Sequence, residues 1–120
     1  DLIDKFQTLL QRIHYFPKPI VAAIQGRVLG GGCELVMACP QVVAAAETYI
    51  GLVELSVGLI PGAGGIMRSV TWAADRAATE APHHIQPFLR RVFETIGMAK
   101  VSNSALEAQE LGFLPPTAKI

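Results

Sequence analysis

The chain has 120 residues, 51% hydrophobic and only 17% charged, and its ten basic and ten acidic side chains cancel to zero formal net charge. That length suits one small domain or a piece of a larger one. No basic stripe points to nucleic acid, no acidic block points to a disordered tail, and even the longest apolar stretches, such as residues 20–24, are far too short to span a bilayer.

The opening residues lack the basic region and apolar run of a signal peptide. The expected location is cytoplasmic, with mitochondrial or peroxisomal targeting left open. So apolar a composition implies either a dense core or surface covered by further protein. The abrupt start and end of the chain favour the second.

Residues 1–16 read as an amphipathic helix, because Leu2, Ile3, Phe6, Leu9, Leu10, Ile13 and Phe16 recur at helical spacing. His14 falls near its end, where a positive charge is favourable. Pro17 and Pro19 stop the helix. Residues 20–24 read as a buried strand, apolar on both faces. Gly30, Gly31 and Gly32 lead into a helix from Cys33 to Cys39, which Pro40 ends. Residues 42–46 predict a second strand, Glu47 and Thr48 a polar bend, and residues 49–52 another short strand. The run 61–65 is a second glycine turn opening a helix with Met67, Val70 and Trp72, where Trp72 reads as core.

Residues 73–82, rich in alanine and charge, predict a helix tail or linker. Pro87 suits a first helical turn, and Phe88, Leu89, Val92, Phe93 and Ile96 mark the apolar face beyond it. Ser104 and Glu107 form a capping box, and Gly112 stands where a C-terminal cap belongs. Short strands alternating with helices predict an α/β fold with parallel pairing and crossover helices. The chain divides into a core, residues 1–72, and a helical segment, residues 73–120.

Cys33 and Cys39 lie six residues apart, form no C-x-x-C pair, and read as reduced and buried. His83 and His84 are adjacent, a poor arrangement for joint metal binding, so no metal site is expected. Arg90 and Arg91 read as a solvated helix face, with contact to an anionic ligand as the alternative. The strand–glycine–helix unit occurs twice. A helix start offers free backbone N–H groups, and glycine lets a ligand oxygen reach them. Such a turn serves either close packing or the binding of an anion or oxyanion. Neither turn matches the two common nucleotide-binding glycine patterns.

Glu34 follows the first turn and Glu54 precedes the second, each among apolar neighbours. Glu34 reads either as an acid complementing the helix dipole or as a proton-transfer group, and Glu54 either as an exposed loop acid or as a second such group. A carboxyl group in apolar surroundings holds its proton more tightly, which suits proton transfer near neutral pH.

The stretch 18–35, KPIVAAIQGRVLGGGCEL, closely resembles the signature of the enoyl-CoA hydratase/isomerase (crotonase) family. The stretch 60–65, IPGAGG, resembles that family's second signature turn. The 20-residue separation of Glu34 and Glu54 also matches the family's two catalytic glutamates. Residues 44–54, with the stretches 93–96 and 104–108, look most like the hydratase region of long bifunctional 3-hydroxyacyl-CoA dehydrogenases.

The resemblance implies a partial crotonase-like α/β fold whose N-terminal half lies outside this chain. It implies hydration of a trans-2-enoyl-CoA in fatty-acid β-oxidation, with Glu34 as base and Glu54 as acid. The Gly31 N–H would serve as one oxyanion donor, a second would come from a loop in the N-terminal half, and Gly30, Gly32, Gly62, Gly64 and Gly65 would shape the substrate site. The glycines 62–65 would form the wall near Glu54.

It implies no tightly bound cofactor: coenzyme A enters as part of the substrate, and NAD belongs only to a neighbouring dehydrogenase domain. The expected partners are acyl-CoA and further copies of the chain. Pro40 stands where the family commonly has an acid, and residues 69–82 do not follow the simple hydratases closely. The 120 residues alone are expected to be inactive. Isomerase or acyl-CoA hydrolase chemistry on the same fold, and a non-catalytic acyl-CoA-binding or assembly segment, remain as alternatives.

Overall fold

The computed structural model describes all residues, 1–120. Helix α1 spans Leu2–His14, capped by the Asp1 side chain, which accepts from the Ile3 N–H at 2.9 Å. Strand β1 (Val21–Leu29), helix α2 (Gly31–Ala38) and strand β2 (Gln41–Gly51) form one crossover unit. The two strands pair in parallel, as the strand–helix alternation predicts. A 3₁₀ turn, Glu54–Val57, follows, and then helices α3 (Gly65–Glu80), α4 (Gln86–Gly97) and α5 (Ala105–Leu111).

Three expectations need correction. The first strand continues well beyond residue 24, to Leu29, and its residues alternate between exposed and half-buried. One face is exposed and the other half-buried, and its only strand partner is β2. The segments 42–46 and 49–52 belong to one strand, not two. Glu47 sits in a bulge within it and Thr48 closes that bulge: Ile24 pairs with Ala44 and Gly26 with Thr48, so β2 carries two extra residues there. Thr48 Oγ1 donates to the Ala45 carbonyl at 2.6 Å, and Ser102 Oγ donates to the Thr48 carbonyl while accepting from the Ile50 N–H. The Thr48 hydroxyl thus serves a carbonyl within the bulge, while Ser102 serves the edge of β2 that faces away from β1. Finally, Phe93 is exposed on α4, and the buried face there is Phe88, Val92, Thr95 and Ile96.

The main core gathers Cys33, Val36, Ile50, Leu52, Val92, Ile96, Phe113 and Leu114 among fifteen buried apolar residues. Trp72 packs against this cluster, with its ring where a side chain on Gly112 would have to go. Gly112 caps α5 at φ 87°, and Ser104 Oγ accepts from the Glu107 N–H at 3.1 Å, as the capping pattern predicts. A second, smaller cluster of Leu10, Ala38 and Ala63 locks α1 onto α2 and onto the second glycine turn.

Candidate functional site

Parallel pairing builds the site. Leu29 at the end of β1 lies opposite Gly51 at the end of β2, and the Gly30 N–H donates to the Gly51 carbonyl at 2.9 Å. Both strands therefore finish at one edge, where α2 starts and where the chain leaves β2 towards Glu54. In α/β folds the carboxyl ends of parallel strands are the usual place for a ligand. Gly30 adopts φ 59°, a left-handed conformation that glycine takes without strain. The N–H groups of Gly31, Gly32 and Cys33 open α2 without intrahelical partners, and Gly31 and Gly32 are exposed.

Glu34 points from the first turn of α2 into the second glycine turn. It is buried, and its Oε2 accepts from the Ala63 N–H at 2.7 Å and from the Gly65 N–H at 2.9 Å. A methyl group on Gly65 would lie 2.9 Å from Leu52 Cδ2 and 3.1 Å from Glu34 Cγ, so only glycine lets the turn close over this carboxylate. Gly64 takes φ 103° to start α3. The expected wall near Glu54 thus spends its hydrogen bonds on Glu34.

Glu54 meets the same helix start from the other side. A side-chain carbon on Gly30 would lie 3.5 Å from its Oε1. Neither carboxylate oxygen has a hydrogen-bond partner, although both are shielded from solvent. Burial pushes this carboxyl group above its ordinary range, its own backbone N–H opposes the rise, and the charge of Glu34 adds to it. Cys33, wholly buried between them, has its thiol held protonated by burial and then by the charges of Glu54 and Glu34. It is a packed and inert thiol, as the sequence reading holds.

The structure therefore brings Glu34, Glu54, Gly30, Gly31, Gly64 and Gly65 to one locality at the strand ends. Gly32 sits in the same first turn. Gly62 contributes through its carbonyl, which accepts from Gln7 Nε2 at 2.5 Å. Two contributors escaped the sequence reading. Ala63 acts through its backbone N–H, which leaves no side-chain signature, and Gln7 lies on the polar face of an ordinary amphipathic helix.

Cys33, His14 and the acids form no group of three or more that could hold a metal ion. A cavity of about 600 Å³ lies elsewhere: Leu55, Ile60, Ile66, Val70, Val92 and Phe93 line it, and neither glutamate does. The arrangement at the strand ends offers one carboxylate clamped by two N–H donors, one bare carboxyl group with raised proton affinity, and free N–H groups at a helix start. Such a set can abstract a proton, deliver one, and stabilise an oxyanion.

A family profile described as enoyl-CoA hydratase/isomerase matches residues 1–88. A probable 3-hydroxyacyl-CoA dehydrogenase of Bacillus subtilis is 43% identical over 99% of this chain and 14% of its own length. A probable enoyl-CoA hydratase of the same organism is 39% identical over 92% of this chain and 42% of its own. The crystal structure of an enoyl-CoA hydratase from Bacillus anthracis superposes with a TM-score of 0.75 at 30% identity, covering 98% of this chain and 39% of that one. The chain thus spans less than half the length of these relatives, and the α/β architecture expected from the sequence is the one it shares with them.

Proposed function

Because this chain belongs to the enoyl-CoA hydratase/isomerase family, we propose that Glu34 and Glu54 form the water-handling pair of an enoyl-CoA hydratase. The reaction adds water across the C2=C3 double bond of a trans-2-enoyl-CoA. The observation that carries this reading is the contrast between two neighbouring carboxyl groups. The Glu34 carboxylate is gripped by two N–H donors, whereas neither Glu54 oxygen has a hydrogen-bond partner and burial raises the proton affinity of that group.

Glu34 then acts as base. It takes a proton from water as the water oxygen bonds to C3, and the π electrons move onto the thioester as an enolate. The Gly31 N–H at the start of α2 stabilises the oxygen of that enolate. Glu54, carrying its proton, delivers it to C2, and proton exchange with solvent resets both groups. No resident cofactor takes part, and coenzyme A arrives as the handle of the substrate.

The test is hydration of crotonyl-CoA by the full-length protein, followed by loss of enoyl absorbance. Glu34→Gln and Glu54→Gln should each lower kcat by about 10²–10⁴-fold, the usual scale for removing an acid–base group. Unchanged rates in both variants would remove the hydratase reading. The likeness to a relative named as a 3-hydroxyacyl-CoA dehydrogenase supports a place beside such an activity in β-oxidation, because the product of hydration is a 3-hydroxyacyl thioester. If the full-length protein houses both activities, enoyl-CoA with NAD should yield NADH without an added enzyme.

A further inference from the structure

The peptide unit between Gly62 and Ala63 is held at both ends. Its carbonyl accepts from Gln7 Nε2 at 2.5 Å, and its N–H donates to Glu34 Oε2 at 2.7 Å. In a trans peptide these two groups point in opposite directions, so fixing the carbonyl fixes where the N–H aims. Gln7 itself is on firm ground. Leu10, one turn further along α1, is buried against Ala38 and Ala63, and the Phe6 ring lies 3.4 Å from where a Gly31 side chain would begin. At the far end of the helix, His14 Nδ1 stands 3.3 Å from the Ala38 carbonyl. One helix thus braces both glycine turns, with residue 6 on the first and residue 7 on the second.

We infer that Gln7 is a positioning residue for the base, holding the 62–63 peptide so that its N–H faces Glu34. Turning this peptide over changes ψ at Gly62, where no Cβ resists the rotation, together with φ at Ala63. Turned over, this one would aim a carbonyl oxygen at the Glu34 carboxylate instead of a donor. Gln7 opposes that flip and also polarises the peptide, strengthening the bond on its far side. The inference rests on the hydratase reading, since it treats Glu34 as the base.

The test uses the full-length protein and crotonyl-CoA. Gln7→Leu removes the donor, Gln7→Glu replaces it with an acceptor, and Gln7→Lys keeps a donor of similar reach. The leucine and glutamate variants should lower kcat about five- to tenfold, the scale of one lost hydrogen bond, with KM changed by less than about twofold. The lysine variant should recover most of the rate. Because Gln7 acts through Glu34, adding Gln7→Leu to Glu34→Gln should cost almost nothing further. Full kcat in Gln7→Leu, or an equal loss from it in both backgrounds, would overturn the inference. Failure of the underlying reading looks different, since Glu34→Gln alone would then leave the rate intact.

Discussion

The unpaired state of the Glu54 carboxylate has a thermodynamic consequence as well as a chemical one. Its proton affinity is higher in the folded chain than in the unfolded chain, where it titrates near the ordinary value of 4.5. Below that value both states hold the proton and the group has no effect. As pH rises through the window between the unfolded and folded values, the folded state alone retains the proton, so stability falls until Glu54 ionises in both. Glu54→Gln cannot ionise. It should therefore match the parent near pH 4 and become the more stable of the two as pH rises through that window. Thermal unfolding of both proteins across pH 4–8 checks this, and a gap that narrows towards neutrality would contradict it.

Among the elements, β2 is where packing overrides local sequence. Its last residue, Gly51, donates nothing distinctive as a residue type, yet a side chain there would collide with the Lys100 carbonyl and the Val101 backbone. The segment after α4 thus crosses directly over the strand end that feeds Glu54. Gly51→Ala should destabilise the protein by about 1–3 kcal/mol, as overpacking at a buried site does, with a lower midpoint in urea and an unchanged slope. Gly32→Ala meets only Val28 Cγ1 at 4.0 Å and serves as the tolerated control.

Gly51 also illustrates what sequence can and cannot carry. Helix α1, the Pro87 start of α4 and the Ser104–Glu107 cap were legible, because periodicity and capping are local. The unity of β2 was not, because Glu47 and Thr48 look like a turn, and the strand is held together by its pairing with β1 on one edge and by Ser102, 54 residues beyond Thr48, on the other. The site divides the same way. Glu34 and Glu54 stand out as acids in apolar runs at a recognisable spacing. The grip of Ala63 and Gly65 on Glu34 is made by backbone, which every residue possesses, and so leaves no mark.

For the molecule as a whole, the two clusters leave much apolar surface uncovered. Leu2 is 81% exposed, Met98 79%, Phe93 77% and Ile60 71%. Strand β1 is paired along one side only, so nine residues of backbone lie at an open sheet edge. A free parallel edge flanked by such side chains calls for cover, whether from the rest of a longer chain or from another copy. Charge does not oppose association, because the formal net charge is zero at pH 7. The 120-residue polypeptide prepared alone should therefore self-associate at micromolar concentration, scattering light as a dimer or larger species and binding a hydrophobic dye. A compact monomer that leaves the dye dark would show that α1, α4 and the β1 edge tolerate water. In that case the apolar cavity between α3 and α4, about 600 Å³ and lined by Leu55, Ile66 and Phe93, would have to be closed by movement within the chain. Association that disappears when Phe93 is changed to lysine would instead locate the contact on the outer face of α4.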